Sequence, residues 1–157
     1  MSNPHDIQSG FAVQQTVNPA TLTGNGDYTE GATVDGKNAI SVRHILLVGE
    51  SGDTWSVSIL TDMILQHSTD GSTWAAVTSS ADYIMDDGAS METEASGIVK
   101  VLDAEADDNA AYTITYRGAR RYSRLYLDRT GNHATGTPMA ALAIKHQRMV
   151  GNLVPAS

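Results

Sequence analysis

The residues best equipped for chemistry or recognition lie in one stretch, YRGARRYSRLYLDRTG, residues 116 to 131. Arg117, Arg120, Arg121, Arg124 and Arg129 place half of the chain's ten Lys and Arg residues there, interleaved with Tyr116, Tyr122 and Tyr126. Guanidinium groups pair bidentately with carboxylates or phosphates, and tyrosines supply flat amphipathic contact area. Three uses fit this pairing: a single-stranded nucleic-acid site with basic groups and stacking platforms, a protein interface, or internal pairing with the chain's own acids. The chain carries 18 Asp and Glu residues and a net charge of -8. That charge repels polyphosphate at long range, so the interface reading is preferred and no nucleic-acid partner is expected.

Other chemistry fares worse. DAEADDN places Asp103, Glu105 and Asp107 at the alternation of a calcium loop, but Asp108 stands where the loop needs glycine and Ile114 where it needs a bidentate glutamate. A solvated turn is the preferred reading. His5, His44, His67, His133 and His146 show no metal-ligand spacing, no H-E-x-x-H or G-x-S-x-G occurs, and no glycine-rich phosphate loop precedes a helix. Asp86-Asp87 reads as soluble surface. Trp55 and Trp74 could stack on sugars, although tryptophans in strands beside turns more often pack the sheet. No enzyme, cofactor or metal is expected.

The elements that must position these residues are short strands. AISVRHILLV, from Ala39, is aliphatic and β-branched and ends at GESGD, which suits a buried strand. TWSVSIL alternates with period two, Trp55, Val57 and Ile59 sharing one face. MILQHSTDGSTWAAV reads as a hairpin about Asp70-Gly71. Residues 79 to 97 break the β pattern and read as a long surface connection with a short helical turn around Tyr83 to Met85. GIVKVLD and AYTITYRG suggest a second hairpin across AEADDN. In YSRLYLDRT, Leu125 and Leu127 face the core while Tyr122, Arg124 and Tyr126 face outward, and Arg117, Arg120 and Arg121 gather at the turn around Gly118. TPMAALAIKHQRMV fits either helical or strand spacing. About eight strands without alternating helices predict an all-β, antiparallel sandwich or barrel.

At 157 residues with 41% hydrophobic composition, one core is expected. Residues 1–38, dense in Gly, Asn, Thr and Ser, read as an extended N-terminal arm with one or two strands, and 39–157 as the sandwich domain. The chain has no cysteine, no signal-like N-terminus and no run near the roughly 20 apolar residues of a membrane span. It is expected to be made in the cytoplasm and to have no membrane partner.

Three segments carry a resemblance. LQHSTDGSTWAAV, YTITYRGARRYSRLYL and TGNHATGTPMAALAI, in that order over about residues 36 to 150, resemble the head decoration, or capsid cement, proteins of tailed bacteriophages. The D-G-S-T-W turn, the Y-x-G-x-R-R-Y-x-R-L strand and the T-G-T-P lead into a final strand carry it; MDDGASMETEA, between Tyr83 and Gly97, departs from it. The resemblance implies a jelly-roll β-sandwich that forms homodimers or homotrimers on the capsid exterior and ties major capsid protein subunits together. It makes TPMAALAI a strand. Arg117, Arg120, Arg121, Tyr122, Arg124 and Tyr126 are then the expected partner interface. The alternative in a different class is a virion carbohydrate-binding module for host attachment that uses Trp55 or Trp74.

Overall fold

A computed structural model describes residues 10–26, 28–86 and 88–147 of the chain. Residues 1–9 and Asp27 of the expected arm, Asp87, and residues 148–157 at and beyond the end of the last run lie outside the described residues. The fold is an all-β sandwich of two antiparallel sheets. The eleven strands are β1 (Phe11–Asn25), β2 (Tyr28–Glu30), β3 (Val34–Asp35), β4 (Ala39–Val48), β5 (Leu60–Ser68), β6 (Ala75–Ala76), β7 (Tyr83–Ile84), β8 (Ile98–Leu102), β9 (Ala111–Tyr116), β10 (Tyr122–Thr130) and β11 (Asn132–Gln147). Sheet A runs β1-β11-β4-β9-β7; sheet B runs β2-β10-β5-β6, with β3 also on β10 and β8 also on β5.

Period-two alternation explains why these sheets face each other. On β4, Val42, His44, Leu46 and Val48 are buried, and on β10 so are Ser123, Leu125, Leu127 and Arg129. Leu46, Met63, Leu65, Leu102, Ile114, Leu125 and Leu127 have essentially no exposed surface and form the centre of the core. The described part of segment 1–38 is laid into both sheets: β1 along the chain's own β11, β2 and β3 along β10. The ambiguous C-terminal run is strand through Gln147.

Three expectations are corrected. TWSVSIL is not one strand: Ser56 and Ile59 bond to each other across a reversal with Val57 at its tip, 85% exposed, and the strand begins only at Leu60. Trp55 enters the core, its indole N–H donating to Asp108 at 2.7 Å. The segments Ile98–Leu102 and Ala111–Tyr116 are not a hairpin either: β8 pairs with β5 in sheet B and β9 with β4 in sheet A. The Asp107 carboxylate turns the chain between sheets by accepting from the Asp103 and Ala104 N–H groups and from the Tyr112 hydroxyl. In segment 79–97 the short 3₁₀ turns fall at Ser80–Asp82 and Glu94–Ser96, while Tyr83–Ile84 is strand. Tyr83 and Met91 are buried there, so the segment closes one side of the core.

The hairpin about Asp70-Gly71 is present, with β5 returning as β6. Gly71 takes φ 77°, which favours glycine. The Asp70 carboxylate accepts from Ser72 N, Thr73 N and the Ser68 hydroxyl; these bonds, led by the backbone N–H groups, hold it well below the usual carboxylate range.

Two histidines link the sheets. His44 on β4 shares a 2.9 Å hydrogen bond with the Ser123 hydroxyl on β10, and His67 on β5 shares one of 3.1 Å with the Tyr116 hydroxyl on β9. Burial lowers the His44 pKa to about 4, and burial, with Arg120 nearby, lowers that of His67. Both are therefore more easily protonated in the unfolded chain, so the stability their neutral forms confer is complete above pH 6.5 and declines below it, that from His44 being lost as pH falls toward 4. For His44 the full shift corresponds to about 3 kcal/mol. Urea unfolding between about pH 7 and pH 4.5 is expected to show this loss, and His44→Gln, which keeps a polar partner for Ser123 without titrating, is expected to remove most of it.

Candidate functional site

The arginine-rich segment is the last residue of β9, the whole β9–β10 turn and β10 itself, and it divides into residues that hold the fold and residues that face outward. Tyr116 begins the turn. Its hydroxyl donates to the Arg120 carbonyl at 3.3 Å and accepts from the Arg120 N–H at 3.2 Å, so the tyrosine closes the loop that follows it. The ring lies over Gly118, where an added Cβ would stand 2.5–2.7 Å from three of its atoms. This packing accounts for the Y-x-G spacing.

Arg121 forms two bonds with Asp35, Nε–Oδ1 2.9 Å and Nη2–Oδ2 2.6 Å, tying β10 to β3; the pair is exposed. Arg121, aided by Lys37's backbone N–H, holds the Asp35 carboxyl far below its ordinary range. Arg124 does point to the outer face of sheet B, as the alternation predicts, yet it is only 7% exposed. Its guanidinium lies 4.2 Å above the Trp74 ring and 5.8 Å from that of Tyr126, and bonds Gln66 at 2.8 Å and Glu30 at 3.0–3.1 Å. Arg129, on the inner face, donates to Thr29 Oγ1 and the Thr23 carbonyl, joining β10 to β2 and β1. Tyr126 stacks on Tyr28 at 5.4 Å, and Tyr122 receives Arg121 at 4.9 Å.

Arg117 donates through Nε to the Ala81 carbonyl. Arg120 is exposed, and its side chain has no hydrogen bond or ion pair with the described residues. It therefore keeps its full donor set for a partner. Lys37, beside the start of β4, and Lys145, near the end of β11, lie at this same end of the sandwich. Glu50, Asp53, Asp103, Glu105, Asp107 and Asp108 lie in the loops at the opposite end. Asp35, Asp70 and Asp82 also lie at the arginine end, which therefore carries only a modest excess of positive charge, whereas the opposite end is acidic.

The calcium-like segment is occupied by its own fold. Besides capping the loop, Asp107 contacts Lys100 at 3.2 Å and, after burial, pushes the Tyr112 hydroxyl up to about 12. No group of three His, Asp or Glu residues is placed to hold a metal ion among the described residues.

Sequence reasoning missed a second surface. On the outer face of sheet A the register sets Val13 opposite Ile144, Leu142 opposite Ile45, and Ala140 opposite Leu47. Phe11, Val13, Leu47 and Ile84 are 44–69% exposed there. Phe11 stacks on His146 at 5.1 Å beside a groove of about 510 Å³ lined also by Val13, Arg43 and Ile144. The signal was the apolar run ILLV at residues 45–48, which reads as strand covered on both faces. The fold covers one.

No protein-family model matches the chain, and comparison with curated proteins finds no match.

The division of the arginines makes a direct prediction for stability. Arg124→Ala uncovers Trp74 and removes the bond to Gln66, at an expected cost of about 2 kcal/mol, whereas Arg120→Ala should stay within about 0.5 kcal/mol of the parent. Urea unfolding of the two variants measures both.

Proposed function

We propose that the chain is a non-catalytic structural virion protein that binds the outside of a bacteriophage capsid and stabilises it by bridging major capsid protein subunits. One observation carries this reading: a single rigid sandwich bears two unlike contact surfaces, an arginine-rich end with an unpartnered Arg120 and an apolar outer sheet face. A bridging part needs two such surfaces held at fixed relative positions, and modest contacts gain strength when repeated over many sites. The resemblance of three segments to capsid cement proteins supports it. The strand order supports the jelly-roll form, because β1, β11, β4 and β9 on one side interleave in the chain with β2, β10, β5 and β8 on the other.

The arginine-rich end is assigned to an acidic patch on the capsid protein. Arg120 is the residue that tests this, since Arg121 is committed to Asp35 and its reversal would disturb β3. Arg120→Glu is expected to leave the fold intact and to weaken binding to undecorated heads several-fold or more, with the wild type binding less tightly at physiological than at low salt. Co-sedimentation with heads measures this; unchanged affinity at both salt concentrations would remove Arg120 from the interface.

A carbohydrate-binding module is the second reading, and one observation favours it. Tyr28, 55% exposed, stacks on Tyr126 beside the Arg124–Trp74 pair, which makes an aromatic platform on sheet B. Trp55 takes no part, being buried. A glycan array decides: sugar binding that disappears in both Tyr28→Ala and Trp74→Ala would support this reading over the capsid one.

A further inference from the structure

We propose that the pocket enclosed by β8, β9 and the turn at 85–92 is a binding site for one or two neutral sugar units. It is independent of what meets the Arg120 end, and it shares no residue with the Tyr28–Trp74 platform on sheet B.

The pocket lies where the two sheets part. β8 belongs to sheet B and β9 to sheet A, and MDDGASMETEA, the segment that departs from the family resemblance, connects β7 on sheet A to β8 on sheet B. Half of the lining comes from that segment: Met85, Asp86, Ala89, Ser90 and Glu92. The segment is anchored beside the pocket, because the Met91 N–H donates to the Tyr83 hydroxyl at 3.3 Å and Thr93 and Ile98 exchange backbone bonds of 3.1 and 3.0 Å. The space so formed is about 400 Å³, within the roughly 300–1,000 Å³ of small-molecule sites.

The chemistry of the wall selects the ligand. Asp86 Oδ1 accepts from Arg43 at 2.8 Å and Oδ2 from the Thr113 hydroxyl at 2.6 Å. Glu92 Oε1 accepts from Lys100 and Oε2 from the Val101 N–H, both at 2.8 Å. Each carboxylate oxygen therefore gives one lone pair to the fold, is oriented by that bond, and keeps a second for a donor from outside. Lys100 directs two of its three N–H groups to Glu92 and Asp107, at 2.8 and 3.2 Å, and keeps the third for an acceptor. Val99, Met85 and the Tyr112 ring, all packed on the core, form an apolar floor. A pyranose matches this set: its hydroxyls donate to the carboxylates and accept from the ammonium, and its C–H face lies on the tyrosine ring. Other classes fit worse. An anion meets Asp86 and Glu92, a cation meets Lys100, and an apolar molecule strips water from all three without replacing a bond.

Titration of the isotope-labelled full chain with glucose, galactose, mannose, N-acetylglucosamine and disaccharides of each, read from backbone amide shifts, tests the proposal. The expected result is that at least one of these sugars saturably shifts the Glu92, Lys100, Tyr112 and Thr113 amides, with a Kd of about 0.1–10 mM. Each sugar is offered both free and as the end group of a soluble polysaccharide; binding of either form upholds the site, and the tighter form tells free from chain-borne sugar as its source. Ala111→Phe, which fills the pocket and leaves every ion pair in place, and Glu92→Gln are each expected to weaken binding tenfold or more. Both positions are exposed, so the thermal midpoint of each variant should stay within a few degrees of the parent and report an intact sandwich. Four results would overturn the proposal: no sugar that saturably shifts these amides, binding unchanged in Ala111→Phe, binding lost in Trp74→Ala, which would move the sugar to sheet B, or shifts of the same amides by N-acetyl-arginine amide and by no sugar, which would make the site a cation pocket.

Discussion

Everything in this molecule depends on two sheets being held with their apolar faces together. The seven fully buried large aliphatic side chains come from β4, β5, β8, β9 and β10, and no one sheet contains them all. Neither sheet could bury its own inner face alone. At roughly 25 cal/mol per Å², the mutual covering of these faces is the largest favourable term available to a chain without disulfides. The polar links between the sheets, His44 with Ser123 and His67 with Tyr116, contribute less energy but fix where the sheets meet, since a buried imidazole or hydroxyl left unmatched would cost more than the bond returns.

That arrangement also explains the fate of the arginines. A strand in such a sandwich has one buried side and one side that its neighbours can partly cover, and β10 lies between β5 and the β2–β3 edge. Arg124 is covered by the Trp74 ring from the adjacent turn, so the D-G-S-T-W turn and the Y-x-G-x-R-R-Y-x-R-L segment meet in that contact. Much of the second motif is architecture: Tyr116 over Gly118, Arg121 on Asp35, Arg124 under Trp74. Arg120 is the arginine of the motif whose side chain bonds none of the described residues.

How much could be read in advance varies with how local the information is. The strands at 39–48 and 122–130 were legible because burial on one face forces alternation or an apolar run, as was the part of β5 from Met63 onward, and the turn at Asp70-Gly71 because positive φ selects glycine. The assignment of β8 and β9 to different sheets was not legible, since an eight-residue connection can close a hairpin or cross a sandwich, and the capping by Asp107 that decides the matter depends on Tyr112 and Lys100 approaching it in space. The break in TWSVSIL was hidden for a similar reason: the segment alternates well, yet the reversal at Ser56–Ile59 interrupts it, while Trp55 packs in the core as expected. The inward and outward sides of β10 were correct, but burial of Arg124 needed a tryptophan fifty residues away.

The borders of the two sheets have a consequence of their own. β1 contains Pro19 and loses register with β11 at three places, and β7 at the other border of sheet A is two residues long. In sheet B one border is split into β2 and β3, the other into β6 and β8. Every side on which another strand could add by backbone hydrogen bonding is short, kinked or discontinuous. Unbroken borders would template open-ended stacking of chain upon chain, the route to fibrils, and these interruptions close that route. Such borders disfavour growth by backbone pairing, and they leave any contact with another chain to side chains, whose shapes and charges can discriminate one partner from another.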